Sequence, residues 1–159
     1  MAVYYLDTSA LVKLYVQELG TDVVLSLASD LENDRLAILD LARVELRAAV
    51  RRRERANDVV STQAFQILSQ FDQHLSELYL TQPCNSSVVE EAVRLLDHHA
   101  LRAYDAVQLA GAIVLQAGGL TEMTFVCADK DLVQVAKAEG LAVIDPEARE
   151  AELAETAAE

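Results

Sequence analysis

The segment Val3–Asp7, with the sequence VYYLD, places an acidic residue directly after a short apolar run. The same pattern returns later in Thr124–Asp129, with the sequence TFVCAD. A short apolar run of this kind, bounded by polar residues, is typical of a buried β-strand. In open parallel α/β sheets, ligands bind beyond the carboxyl ends of the strands. We therefore expect Asp7 and Asp129 to lie at the same edge of a parallel sheet.

Short strand-like runs alternate with longer helical patterns along the chain, which predicts an α/β fold: a parallel sheet with helices on both faces. Asp40 is well placed as the N-cap of the third helix. The predicted strands are Val3–Leu6, Leu36–Leu39, Leu78–Leu80, Thr124–Ala128 and Ala142–Ile144. The predicted helices are Ser9–Gln17, Asp22–Leu31, Leu41–Arg55, Val59–Leu75, Ser87–His98, Ala103–Ala117 and Leu132–Glu139.

A length of 159 residues suits one domain with a proper core. We predict that this domain spans residues 1–146, and that residues 147–159 form an acidic, Ala/Glu-rich tail that is frayed, or helical only with a partner. The sequence contains neither an apolar stretch long enough for a membrane span nor a signal-peptide pattern, so we expect a cytoplasmic protein without membrane association. Cys84 and Cys127 are expected to be reduced.

The net charge of −13 at first disfavours a nucleic-acid partner. The charges are unevenly distributed, however. Seven of the 13 basic residues fall between Arg35 and Arg55, whereas Asp145–Glu159 carries six acids and one arginine. A polyanionic substrate is therefore neither excluded nor supported by the net charge.

Two further acids lie in apolar surroundings. Asp105 is the only charged residue between Ala103 and Thr121. Glu45 falls on the apolar arc when the third helix is drawn as a wheel with about 100° per residue. Its neighbours on that arc are Leu41, Ala42, Val44, Ala48 and Ala49.

A carboxylate in apolar surroundings is destabilising unless it is paired or binds a metal ion. Too few basic residues lie beside the four acids to pair them all, so we expect Asp7, Glu45, Asp105 and Asp129 to converge on a divalent cation. Hard oxygen ligands suit Mg²⁺ or Mn²⁺. Such ions activate water and stabilise in-line displacement at phosphorus, which is the chemistry of a metal-dependent nuclease.

Each acid also has a simpler explanation. Asp7 and Asp129 fit the N-caps of the helices that follow them, and Asp105 fits a first-turn acid that complements the helix dipole. Glu45 fits a pair with Arg102 or another buried arginine. These explanations weaken when the four acids are taken together, because four separate coincidences are then required.

In four segments the chain resembles PIN-domain endoribonucleases, most closely the VapC toxins of type II toxin–antitoxin systems. The resemblance runs from Val3 to about Pro146. The segments that carry it are Tyr4–Leu14, Leu41–Leu46, Leu101–Ala110 and Phe125–Leu132.

The resemblance implies a three-layer α/β/α sandwich with a short, mainly parallel central sheet. It also implies an Mg²⁺- or Mn²⁺-dependent endoribonuclease in which a metal-activated water cleaves RNA phosphodiester bonds. Asp7, Glu45, Asp105 and Asp129 match the catalytic acids of the family, and Ser9 matches the residue that supports the first acid. The metal would be held by Asp7 and Asp105, with Glu45 and Asp129 acting directly or through water.

The same resemblance implies that the protein is the toxin of a toxin–antitoxin pair, with a cognate antitoxin, and a homodimer. Asp131 is an alternative fourth acid, although Asp129 is preferred because it follows the predicted strand. The competing hypothesis is a non-catalytic RNA- or protein-binding module with the same fold. The basic run formed by Arg51–Arg53 and Arg55 is interpreted either as a solvated helix end or as a contact for RNA or a partner.

Overall fold

The computed structural model of the protein describes residues 1–120 and 122–157. Within these residues, five strands form one sheet in the order β3-β2-β1-β4-β5, and every pair is parallel. The predicted parallel sheet is therefore confirmed. The strands are β1 (Val3–Leu6), β2 (Arg35–Leu39), β3 (Tyr79–Gln82), β4 (Met123–Val126) and β5 (Ala142–Ile144).

Eight α-helices surround the sheet in the described part of the chain, and a 3-10 turn at Val12–Leu14 follows the first. None of the described helices is both long and apolar enough to cross a membrane. The helices are α1 (Thr8–Leu11), α2 (Thr21–Leu27), α3 (Ala42–Arg55), α4 (Ser61–Glu77), α5 (Ser86–His98), α6 (Ala103–Ala117), α7 (Lys130–Ala138) and α8 (Pro146–Ala157).

The sheet is buried on both faces because successive strand residues point to opposite sides. Tyr5, Leu39 and Phe125 belong to one core, which also includes side chains of α5, α6 and α7. Leu6 and Ile38 belong to the other core, with side chains of α1, α3 and α4. Two cores separated by one sheet make a three-layer α/β/α sandwich, as predicted.

Helix α6 lies very close to the sheet at Gly111. A Cβ atom at this position would overlap the Tyr5 hydroxyl and would lie 2.7 Å from the Leu39 side chain, so the close approach requires glycine. Because α6 leads through a short connection into the parallel strand β4, its first turn lies at the carboxyl edge of the sheet. This packing holds Asp105 at that edge.

The predicted capping role of Asp40 is wrong. Leu41 is the N-cap of α3, and no side chain caps that end of the helix. The Asp40 carboxylate instead accepts a hydrogen bond from the Cys84 backbone N–H at 3.1 Å. Asp40 therefore ties the start of α3 to the loop after β3, a contact across 44 positions that no local pattern reports.

The expectation of a frayed tail is also wrong for residues 147–157, and residues 158–159 lie outside the described part. Helix α8 packs against α2. The Asp145 carboxylate caps α8 by accepting from the Glu147 backbone N–H at 3.0 Å. Gly20, with a φ of +87°, approaches α8 so closely that an added Cβ would lie 3.0 Å from the Pro146 carbonyl carbon. The division of the chain after residue 146 stays a prediction.

Candidate active site

The candidate site lies at the carboxyl edge of the sheet, between β1 and β4. Strand β2 lies on one side of β1 and β4 on the other, so the chain reverses its direction of travel across the sheet at this point. Such a switch point leaves a crevice between the loops that follow the two strands. Leu6 is in register with Val126, and the Asp7 backbone N–H donates to the Val126 carbonyl at 3.1 Å. Asp7 therefore lies at the mouth of this crevice.

Asp7 is buried, with 6% of its surface exposed. Its Oδ1 accepts hydrogen bonds from the Ser9 hydroxyl at 2.6 Å and from the Ala10 backbone N–H at 3.0 Å. The second bond makes Asp7 the N-cap of α1. The simpler interpretation as a cap and the contact with Ser9 thus coexist at one carboxylate.

Asp129 lies farther from its strand than the sequence predicts, because β4 ends at Val126 and not at Ala128. Its Oδ1 accepts from the backbone N–H groups of Asp131 and Leu132, both at 3.0 Å, so it caps α7. The Ser9 hydroxyl oxygen accepts from the Ala128 backbone N–H at 2.9 Å. Ser9 therefore connects the loop after β1 with the loop after β4.

The helical wheel predicted that Glu45 lies in the middle of an apolar arc, and this prediction is wrong. The buried residues of α3 are Ala42, Leu46 and Val50, whereas Val44 is 61% exposed. Glu45 lies at the border of this buried face and is half-buried. The border position lets its carboxylate reach the site while its backbone stays in the helix.

The partners of Glu45 are neutral. Its Oε2 accepts from the Thr8 hydroxyl at 2.7 Å and from the Gln108 side-chain amide, which also donates to the Thr8 hydroxyl at 3.2 Å. Within the described residues no arginine bonds to it, so the suggested pair with Arg102 is not formed. Three elements, namely α1, α3 and α6, meet at this carboxylate.

Asp105 is half-buried in the first turn of α6. It lines a groove that also contains Leu101, Arg102 and Asp129. Desolvation raises the pKa of Asp105, as do the charges of Asp129 and Glu45, while Arg102 opposes the shift. Asp105 is thus close enough to Asp129 and Glu45 for their charges to raise its pKa.

Burial raises the pKa of Asp7 from 3.8 to about 6. Hydrogen bonds from Ser9, Ala10 and Cys127 oppose the shift, and the charge of Glu45 adds to it. Since Asp7 interacts with Glu45, and Glu45 and Asp129 interact with Asp105, the four acids belong to one electrostatic neighbourhood. Of these four acids only Asp7 is buried, and the other three are partly exposed. The expectation that all four lie in apolar surroundings is therefore wrong.

The chemistry of these donors fits a hard divalent cation, because all four groups are carboxylates and two of them have a raised pKa. The four carboxylates lie farther apart than the ligands of a formed metal site. Among the described residues, no group of three or more His, Cys, Asp or Glu side chains converges closely enough to hold a metal ion. The assignment of Asp7 and Asp105 as ligands therefore stays a prediction.

Thr8 and Gln108 were missed by the sequence interpretation. Gln108 is a polar residue within an apolar stretch of α6, is 3% exposed, and lies three positions after Asp105. Residues three apart in a helix share a face, so this spacing was a usable signal. Thr8 gave no such signal, because a hydroxyl beside a helix N-cap is common.

The fold and its acidic edge define a class, namely α/β/α sandwich proteins with a carboxylate site at the switch point of a parallel sheet. The PIN domain family matches residues 4–138. The chain belongs to the PIN domain family. A search of the curated proteins finds no match to this sequence.

Solved structures of similar fold include three bacterial proteins. FitAcB from Neisseria gonorrhoeae has a TM-score of 0.63 and 17% identity, covering 90% of this chain and 97% of that one. Mycobacterium tuberculosis VapC20, described as a Sarcin-Ricin loop cleaving toxin, has a TM-score of 0.62 and 18% identity, with coverages of 89% and 97%. VapBC2 from Rickettsia felis, bound to a promoter DNA fragment, has a TM-score of 0.61 and 16% identity, again with coverages of 89% and 97%.

Proposed function

We propose that this protein is a metal-dependent endoribonuclease and the toxin of a toxin–antitoxin pair. The observation that carries the proposal is that Asp7, Glu45, Asp105 and Asp129 lie in one electrostatic neighbourhood at the carboxyl edge of a PIN-domain sheet. Membership of the family supports a nuclease, and the solved structures of similar fold support the toxin role. RNA is the proposed substrate because VapC20 is described as cleaving the Sarcin-Ricin loop.

In the proposed mechanism, Asp7 and Asp105 would hold Mg²⁺ or Mn²⁺, and Glu45 and Asp129 would contribute directly or through water. The ion, when bound, supplies positive charge at the scissile phosphate and lowers the pKa of a water molecule. The Ser9 hydroxyl fixes one oxygen of Asp7. Thr8 and Gln108 fix one oxygen of Glu45, which leaves its other oxygen to orient water or accept a proton.

The proposed partners follow from the same comparisons. FitAcB and VapBC2 are similar in fold, and one of the solved structures is described as a toxin-antitoxin complex from Klebsiella pneumoniae, so we propose that a cognate antitoxin binds this chain. A homodimer and a cytoplasmic location complete the proposal.

A non-catalytic RNA- or protein-binding module is the second candidate. The observation that favours it is the local satisfaction of the acids, since Asp7, Glu45 and Asp129 each accept hydrogen bonds from within the chain. A structural role for these carboxylates would explain such bonds without catalysis.

The test is cleavage of structured RNA by the purified protein in Mn²⁺, in Mg²⁺ and in EDTA. We expect cleavage with either ion and none in EDTA. Asp7→Asn should lower the rate by about a hundredfold or more, because it removes a ligand charge at the reacting centre. It should also abolish growth inhibition on expression.

Asp58→Asn is the matched control, since Asp58 is exposed and lies between α3 and α4, away from the acidic edge. The control should retain full activity with an unchanged circular dichroism spectrum. Full Mn²⁺-dependent cleavage by Asp7→Asn would contradict the assigned site. Binding of RNA without cleavage under every condition would favour the module.

A further inference from the structure

Two surface grooves meet at the acidic edge, and Asp129 lines both of them. The first groove runs past Arg102 and Asp105 at the start of α6. The second runs past Thr8, Ser9 and Arg52, beside α1 and α3. Because Asp129 lines both grooves, the two are adjacent at the candidate site, and each contains one arginine that forms no salt bridge.

Arg52 and Arg102 differ from three other arginines, all on α3, which are held in ion pairs. Arg47 pairs with Asp72, Arg51 with Glu54, and Arg53 with Glu18, at 2.6–2.9 Å. Arg52 and Arg102 are exposed, and within residues 1–120 and 122–157 neither has a carboxylate at salt-bridge distance. Their guanidinium groups are therefore available to an external anion.

An RNA strand needs such cations here. The site itself carries four acids in a chain of net charge −13, so phosphates on either side of the scissile one meet a repulsive surface. A guanidinium binds phosphate through directed, charge-assisted hydrogen bonds. One guanidinium on each side would offset the repulsion where the strand approaches and where it leaves.

We propose that single-stranded RNA lies along both grooves, with Arg52 and Arg102 binding the phosphates on opposite sides of the scissile phosphate. The inference rests on the proposed function for the identity of the substrate. The two arginines would be substrate-binding residues in the grooves beside the acids, and Arg102 is also close enough to Asp105 to oppose the rise of its pKa. An acidic segment of an antitoxin is the competing occupant of the same arginines.

The first experiment measures binding, which does not depend on catalysis. A fluorescent single-stranded RNA oligonucleotide is titrated in Mg²⁺ against Asp7→Asn protein carrying Arg52→Gln, Arg102→Gln or Arg55→Gln. Each of the first two changes should raise Kd about tenfold and reduce the slope of log K against log salt by about 0.7, because one phosphate contact is lost.

Arg55→Gln is the matched control. Arg55 is exposed, lies on α3 three residues beyond Arg52, and lines a different groove with Arg43 and Arg47. It should change Kd by less than about twofold. A larger effect from Arg55→Gln than from Arg52→Gln would overturn the proposal and place the RNA on the outer face of α3.

The second experiment assigns each arginine to one side of the cleavage point. In an oligonucleotide that the wild-type protein cleaves, a neutral methylphosphonate replaces the linkage on the 5′ side or the one on the 3′ side. Arg52→Gln and Arg102→Gln should each raise KM with little change in kcat. Each variant should also lose sensitivity to one of the two replacements only.

The outcomes separate this inference from the proposed function. Absence of cleavage by the wild-type protein would defeat the proposed function, while the binding titration would still decide the role of the arginines. Cleavage with unchanged Kd and KM in Arg52→Gln and Arg102→Gln would overturn the inference alone. Loss of antitoxin binding in these variants, without loss of RNA binding, would likewise reject it.

Discussion

Two groups of carboxylates border the same groove and are neutralised in different ways. In the first, the Lys13 ammonium lies 2.9 Å from Glu18 and 2.8 Å from Glu147, and Arg53 lies 2.6 Å from Glu18. Burial disfavours the charge on Lys13, but bonds to Glu147 and Glu18 outweigh burial and raise its pKa. This group, which joins the 3-10 turn, α3 and α8, carries its own cations.

The second group is the acidic edge. Asp7 is held by a hydroxyl and a backbone N–H, and Glu45 is held by a hydroxyl and an amide. Neutral donors orient a carboxylate without forming an ion pair, and at Asp7 burial outweighs the hydrogen bonds and raises the pKa. The fold therefore fixes the positions of Asp7 and Glu45 without an ion pair to either among the described residues, an arrangement that supports the divalent cation of the proposed function.

Removing the cation of the first group tests the contrast between the two groups most strongly. Lys13→Met should lower the free energy of unfolding by about 2–3 kcal/mol, because it leaves Glu18 and Glu147 without their shared partner. The estimate is at the low end for a buried pair since both glutamates are partly exposed, at 27% and 37%. Urea denaturation at neutral pH measures it. A loss below about 0.5 kcal/mol would mean that solvent already screens this group.

Removing a charge from the second group should raise the free energy of unfolding, whereas Lys13→Met should lower it. The pKa of Asp7 is raised from 3.8 to about 6, so the stability that the protonated carboxyl contributes is present below about pH 4 and is lost as the pH rises through 6. Asp7→Asn mimics the protonated form. In EDTA it should be more stable than wild type by about 2–3 kcal/mol at pH 7.5, and equal to it at about pH 4.

Thermal denaturation in EDTA across this pH range is the measurement. Asp58→Asn again serves as the control and should show no such pH-dependent gain. A destabilised Asp7→Asn protein at pH 7.5 would show that the hydrogen bonds of the carboxylate outweigh its burial.

The neutral donors themselves provide a smaller test. Gln108→Leu removes one of the two side-chain donors to Glu45 and should lower the cleavage rate about tenfold, as loss of a residue that orients a ligand commonly does. It should also raise the Mn²⁺ concentration needed for half-maximal rate, a shift that a merely structural defect would not cause. Gln116→Leu, on the same helix, is the control and should leave both quantities unchanged.

An exposed ion pair outside both groups should contribute the least to the free energy of unfolding. Arg47 and Asp72 form a surface pair at 2.9 Å in which both side chains are about half exposed. Arg47→Gln should change the free energy of unfolding by less than about 0.5 kcal/mol, because solvent screens the pair. A loss comparable with that of Lys13→Met would remove the distinction drawn between buried and exposed pairs.

Much of the fold followed from local pattern. The bounds of β1, β5 and α6 are as predicted, since apolar runs and a closing Gly118–Gly119 mark them clearly. Helix α1 stops earlier than predicted because a 3-10 turn and a non-helical Tyr15, with a φ of −122°, follow it. Helix α8 was not predicted, because its polar sequence does not indicate that it packs against α2.

Local sequence pattern was enough to predict where β1, β2 and β5 end and which helix turn carries Asp105, whereas β3 ends two residues later and β4 two residues earlier than predicted. These features follow from periodicity, and periodicity is a property of neighbouring residues. Tertiary structure alone decided that Glu45 is bonded to Thr8 and Gln108, 37 and 63 positions away. The physical reason is that a hydrogen bond or an ion pair depends on which surfaces pack together, and packing joins residues that no local pattern connects.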